Sequence, residues 1–127
     1  MTDPLLKYRE QHKHRLNYMP WLYWSLKPKH REWAEQWQAE YQAYLMEMET
    51  VEIGENCFIS PLAHIFAERG RKISIGDNTF IAADCTLHGP LQIGNEVAIN
   101  HHCILDGGRA GIKLHDQVRI AAYSHLY

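Results

Sequence analysis

The pattern of apolar positions changes period near residue 50. From Arg31 to Met48 the large apolar residues Trp33, Trp37, Tyr41, Tyr44, Leu45 and Met48 recur at i, i+4, i+8 spacing. That spacing predicts an amphipathic helix with one broad inward stripe. Pro28 falls in its first turn, where a missing N–H costs nothing. An earlier helix is expected over roughly Asp3 to Tyr18, with Pro20 limiting its extension. Trp21, Trp24, Trp33 and Trp37 lie close together and admit two readings, a ligand platform or an aromatic packing face. Packing is adopted, because such rings supply the large buried areas a small helical cap needs.

From Glu52 the period is six. Ile or Leu occupies all twelve positions of four triplets: Ile53, Ile59, Ile65; Ile75, Ile81, Leu87; Ile93, Ile99, Leu105; and Leu114, Ile120, Leu126. Four residues after these, wherever no loop intervenes, stands a small or aliphatic residue: Cys57, Ala63, Thr79, Cys85, Leu91, Val97, Cys103, Val118 and Ser124. Six is neither a helical period nor that of a hairpin strand. It describes short strands joined by tight corners, each strand sending one aliphatic side chain inward. Three sides make an eighteen-residue coil, the interval from Ile75 to Ile93. Ile53 to Ile75 is twenty-two residues and Ile93 to Leu114 is twenty-one, so two coils carry insertions, at Ala67–Lys72 and Gly107–Gly111. Both fall on the third side, where a solenoid lets loops bulge outward without disturbing its stacked core.

The first sides run into a recurring phrase: Ile53-Gly-Glu-Asn, Ile75-Gly-Asp-Asn, Ile93-Gly-Asn-Glu and Leu114-His-Asp-Gln. Gly, Asn and Asp suit corners because they accept unusual dihedrals and bond locally. The chain therefore reads as mainly β, with residues 1–50 as an N-terminal α-helical cap and residues 51–127 as a parallel β-helix of about four coils. Each buried aliphatic contributes roughly 1.5–3 kcal/mol gross, and successive coils are expected about 4.8 Å apart.

With 127 residues, 46% hydrophobic, 22% charged and a formal net charge of -2, the chain has material for one core. Its charge exerts no global pull toward nucleic acid or an anionic membrane. The run Lys7, Arg9, Lys13, Arg15 reads as a solvated helix face. Lys7, Arg9 and Glu10 break the first apolar run, and Met19–Leu26 is too short to span a bilayer. Three cysteines without a secretory leader point to free thiols in a reducing, cytoplasmic setting. The fourth coil stops at Leu126-Tyr127 as its third side begins, leaving strand edges that a solenoid ordinarily caps. The register reads as a truncated chain, whether shortened for expression, by proteolysis or in its reading frame.

The phrases Ile75-Gly-Asp-Asn-Thr-Phe-Ile-Ala-Ala, Ile93-Gly-Asn-Glu-Val-Ala-Ile-Asn and Val118-Arg-Ile-Ala-Ala-Tyr-Ser-His-Leu-Tyr resemble the hexapeptide-repeat acyltransferases, in particular the maltose and galactoside O-acetyltransferase group. The resemblance covers about residues 52–127. It implies a left-handed β-helix and a homotrimer. In clefts between neighbouring β-helices, acetyl-CoA would meet a small hydroxylated acceptor such as a sugar. It also implies a histidine base in a phrase Val-x-Ile-x-x-x-x-His, matched by Val118, Ile120 and His125. The Pro that follows in the family is Leu126 here. Asn100 matches the Asn of the family's Asn-Phe phrase, and Asp106, within a one-residue gap, matches an acidic residue of the acceptor site. His102 is grouped with them as acceptor-binding, and the family's CoA-binding coils would lie downstream. In the implied reaction a neutral imidazole takes a proton from the acceptor hydroxyl. The alkoxide attacks the thioester, and backbone N–H groups stabilise the oxyanion.

The remaining polar residues leave alternatives open. Cys85 and Cys103, one coil apart, read as core filling, since buried thiols behave as small hydrophobes. His101 and His102 stand near a corner, where subunit contact, solvent exposure, acceptor lining and metal ligation are alternative roles. His88 and His115 read as surface residues, and Arg69, Arg71 and Lys72 as a solvated loop rather than a seat for a CoA phosphate. The γ-class carbonic anhydrases resemble this fold and bind zinc through histidines, but their pair of His five residues apart is missing from the repeats. No metal is therefore expected. A catalytically silent interaction or oligomerisation module is the third alternative.

Overall fold

The computed structural model describes residues 4–127, with side chains from Leu6 onward. Helix α1 spans Pro4–Tyr18, a 3₁₀ helix Pro20–Ser25, and α2 Pro28–Met48. Asp3, the expected start of α1, lies outside the described residues. Pro28 occupies the first turn of α2, as its missing N–H allows. Among the described residues no helix is long and apolar enough to cross a membrane.

Twelve short strands follow, wound into a three-sided parallel β-helix. The first side stacks β1 (Val51–Ile53), β4 (Ile73–Ile75), β7 (Leu91–Ile93) and β10 (Ile112–Leu114). The second stacks β2 (Phe58–Ile59), β5 (Phe80–Ile81), β8 (Ala98–Ile99) and β11 (Arg119–Ile120). The third stacks β3 (His64–Phe66), β6 (Thr86–His88), β9 (Ile104–Asp106) and β12 (His125–Leu126). The hexad aliphatics form continuous columns. Ile59, Ile81, Ile99 and Ile120 pair one above another, as do Ile65, Leu87, Leu105 and Leu126. Both insertions leave this register intact, because they sit beyond the strand ends at Phe66 and Asp106. Ile53 and Leu126, in the two terminal coils, are half-buried and still pack against the core.

The helices do two jobs. First, α2 closes the open edge of the opening coil. The amide of Gln38, only 2% exposed, accepts from Ile59 N (2.7 Å) and donates to Ile59 O (3.1 Å). It thus stands in for the missing neighbouring strand, and Gln42 Nε2 adds a bond to Cys57 O at 2.9 Å. Leaving such buried backbone groups unpaired would cost about 1–3 kcal/mol each. Second, the helices clad the outer face of the second side. Leu16, Tyr23 and Ala34 enclose Phe58, Phe80 and Ala98, with Trp24, Trp33 and Trp37 packed around them. The tryptophans are therefore mostly packing groups, although Trp21 remains 51% exposed.

The broad stripe expected on α2 is narrower than its apolar pattern. Ala34, Gln38 and Leu45 are the buried residues, whereas Tyr44 and Met48 are exposed. A helix lying on the end of a β-helix needs a polar group that can bond strand edges, and Gln38 takes the central place.

Candidate active site

Each coil turns its first corner, and each coil after the first its second corner, through a residue in the left-handed region. At the first corner these are Asn56, Asn78, Glu96 and Gln117. At the second they are Asp84 (φ 61°), His102 (φ 59°) and Tyr123 (φ 64°). His102 N donates to Ala83 O, and Tyr123 N to His101 O, both at 3.1 Å. The backbone ladder thereby stacks Asp84, His102 and Tyr123 in successive coils.

Their side chains converge. His102 lies face to face with Tyr123, ring centres 4.6 Å apart and planes 12° from parallel. Its Nε2 is 3.4 Å from Asp84 Oδ2, and its Nδ1 is 2.8 Å from His101 Nδ1. The same Asp84 oxygen accepts a 2.9 Å hydrogen bond from the Tyr18 hydroxyl at the end of α1. Tyr18 holds its proton above the ordinary phenol range, first because Asp84 accepts it and second through burial. Two further bonds seat α1 here, from Ala83 N to Asn17 O (2.7 Å) and from Ser60 Oγ to Asn17 Oδ1 (2.8 Å).

His125 is exposed on β12, in the outward column that begins with His64 and continues through Thr86 and Ile104. Its ring meets Tyr127 edge-on at 6.4 Å. Asn100 donates through Nδ2 to Ile120 O at 2.8 Å, so part of its side chain ties one coil to the next. Asp106 Oδ1 accepts from Gly108 N at 2.9 Å. Asp106 is in register with His88, whose Nε2 lies 3.1 Å from Glu68. Among the described residues no hydrogen bond joins His125 to Asn100, Asp106 or His102. Of the four site residues read from sequence, His102 alone enters the convergent cluster.

Tyr18, Asp84 and Tyr123 were missed by sequence reasoning. Asp84 and His102 are eighteen residues apart, one coil, as Cys85 and Cys103 are, so a signal existed. For Tyr18, 66 residues from Asp84, there was none.

The other candidates are occupied elsewhere. Cys85 and Cys103 are buried and donate to Asn100 O and Ala121 O, both at 3.0 Å. Burial pushes the Cys85 thiol up to about 12, which leaves it un-ionised and unreactive. Arg71 bonds the carbonyls of Gly89 and Gly108 across the two insertions, and Lys72 pairs with Glu52 at 2.6 Å. A shallow depression of about 660 Å³ lies on the first side, lined by Ser74, Gln92, Lys113 and His115 among others, away from all four site residues. Among the described residues no three His, Cys, Asp or Glu side chains gather to hold one metal ion.

No family model and no solved structure matches the chain. It is similar to the dTDP-4-amino-4,6-dideoxy-D-glucose acyltransferase of Escherichia coli, with 36% identity over 55 residues. The match covers 42% of this chain and 29% of that protein, so the chain aligns with under a third of the relative's length. A three-sided β-helix wound on Ile/Leu hexads, together with this local likeness to a sugar acyltransferase, fits a hexapeptide-repeat acyltransferase.

Proposed function

We propose that the protein transfers an acyl group from an acyl-CoA thioester, acetyl-CoA in the first instance, to a small sugar acceptor, working as a homotrimer. The carrying observation is the hexad β-helix whose last coil bears His125 at the spacing the resemblance implies. The similar Escherichia coli protein is named for an amino sugar, which widens the acceptor from a hydroxyl to a hydroxyl or amine.

In this reading His125 is the base. Its neutral imidazole takes the acceptor's proton as the oxygen or nitrogen attacks the thioester carbonyl. The tetrahedral intermediate collapses, the C–S bond breaks, and the thiolate leaves with a proton. Asn100, Asp106 and His102 serve the acceptor side. Exposure of His125 supports the role, since a base must reach its substrate.

The test is thioester consumption by the full-length protein with a panel of sugar acceptors. His125→Ala is expected to lower kcat by about 100-fold or more. Undiminished turnover in that variant removes His125 as the base, and a full-length wild type that consumes no thioester with any acceptor overturns the reading.

A further inference from the structure

The second corner carries more chemistry than acceptor lining requires. A carboxylate repels a lone pair, so the His102 nitrogen that faces Asp84, Nε2 at 3.4 Å, is the protonated one. In the neutral ring Nδ1 then holds the lone pair. The 2.8 Å contact to His101 Nδ1 joins two nitrogens, and one of them must donate. With His102 Nδ1 as acceptor, His101 Nδ1 carries the hydrogen. His101 Nε2 then holds the lone pair, with no hydrogen-bond partner among the described residues, on a half-buried side chain.

We propose that Asp84, His102 and His101 form a two-imidazole proton relay, open at His101 Nε2, that takes up the ammonium proton of an amine acceptor bound at this corner, ahead of the proton that His125 takes as the nitrogen attacks. A proton arriving at His101 Nε2 releases the hydrogen on His101 Nδ1 to His102 Nδ1. One N–H bond forms at each ring and one breaks at His101. The positive charge thereby moves from the open ring to the ring beside Asp84, and deprotonation runs the same path backwards.

The surrounding groups suit this role. Tyr18 donates at 2.9 Å to the Asp84 oxygen that faces His102 and so holds it in place. Tyr123 stacks on His102 at 4.6 Å, placing a π face against the ring that becomes cationic. Tyr18 and Tyr123 each meet His101 edge-on, at 6.0 and 5.5 Å, and His14 approaches Tyr18 at 5.8 Å. Asp84 is the carboxylate in contact with the pair. In the relay His101 would touch the acceptor, while Asp84 and Tyr18 act as positioning residues. The acceptor clause rests on the acyl-transfer reading; the relay itself is a property of the folded chain.

Imidazole ¹⁵N NMR on the acceptor-free chain tests the relay directly. Above the histidine titration range, His102 is expected to carry its hydrogen on Nε2 and His101 on Nδ1. On acidification both rings should respond in one coupled step, and Asp84→Asn should abolish the His102 tautomer preference. Independent titration of the two rings, or His101 protonated on Nε2 in the neutral pair, overturns the relay.

Turnover tests its use. His101→Gln should lower kcat by about 100-fold, and Asp84→Asn roughly tenfold to a hundredfold. Both should flatten the acidic limb of the pH profile and leave KM for the thioester unchanged. Normal kcat and pH profile in His101→Gln overturn the assigned role even if the tautomers are as expected. An inactive wild type with intact tautomers overturns the acyl-transfer reading and the acceptor clause with it, and leaves the relay standing.

Discussion

The first two corners of the β-helix share a backbone and differ in what their side chains meet. At the first corner, Asp77 Oδ1, Asn95 Oδ1 and Asp116 Oδ1 accept from Glu55 N, Asp77 N and Asn95 N, all at 2.7–2.8 Å. Each coil's Asx oxygen satisfies the backbone of the coil before it. At the second corner the N–H groups of Asp84, His102 and Tyr123 are satisfied by backbone carbonyls, those of Leu62, Ala83 and His101. Asp84, His102 and Tyr123 are left with side chains that are only partly covered. One corner is a rivet. The other presents chemistry on an equally rigid frame, which is where a preorganised site belongs.

Substitutions separate the two. The largest effect is expected at the first corner. A methyl on Gly76 would lie 2.6 Å from Gly94 O and closer still to Asn95 Oδ1, so coil spacing itself must yield. Gly76→Ala is expected to lower unfolding free energy by about 2–3 kcal/mol in urea titration. A loss under about 0.5 kcal/mol would mean that the Asx ladder does not set coil spacing.

A smaller effect is expected where α1 meets the second corner. Tyr18→Phe removes one hydrogen bond to a partly exposed carboxylate and should cost about 1 kcal/mol. The folded-state phenol pKa is raised above its ordinary 10.0. The bond's stabilisation is therefore complete below that value and is lost as pH climbs through the raised one. Wild type and Tyr18→Phe should differ at pH 7 and converge in strong alkali. A gap that persists there would place the stabilisation elsewhere than in the bond to Asp84.

His102→Asn should change stability least among these, within about 0.5 kcal/mol, because Asn accepts left-handed dihedrals and the contact to Asp84 that it removes is exposed at 37% and 35% on its two sides. A large loss would make the second corner as structural as the first. Finally, Cys85 and Cys103 should resist alkylation in the native chain at neutral pH. Labelling at the rate of the unfolded protein would show the inner wall of that corner to be open.

The hexads made most of the β-helix legible, because an inward Ile or Leu every six residues is a local requirement repeated in each coil. Ile75, Ile93 and Leu114 announce their column without knowledge of any other part of the chain. The insertions were legible for the same reason, as departures from a fixed interval. The burial on α2 was not. Apolar spacing points to Tyr44 and Met48, while Gln38, polar and unremarkable in sequence, is buried because the strand edge at Ile59 needs both a donor and an acceptor.

The site divides along the same line. Motif spacing and residue type made His125 and His102 candidates, and Asp84 was within reach of His102 through the eighteen-residue interval. Repeating local chemistry thus dictated winding, register and the outward placement of His125. The fold decided which polar side chains cooperate, because Tyr18, Asp84, His102 and Tyr123 meet only once three coils are stacked and α1 is docked against them. Contacts across 66 residues depend on how separately formed elements pack, and no period along the chain encodes that.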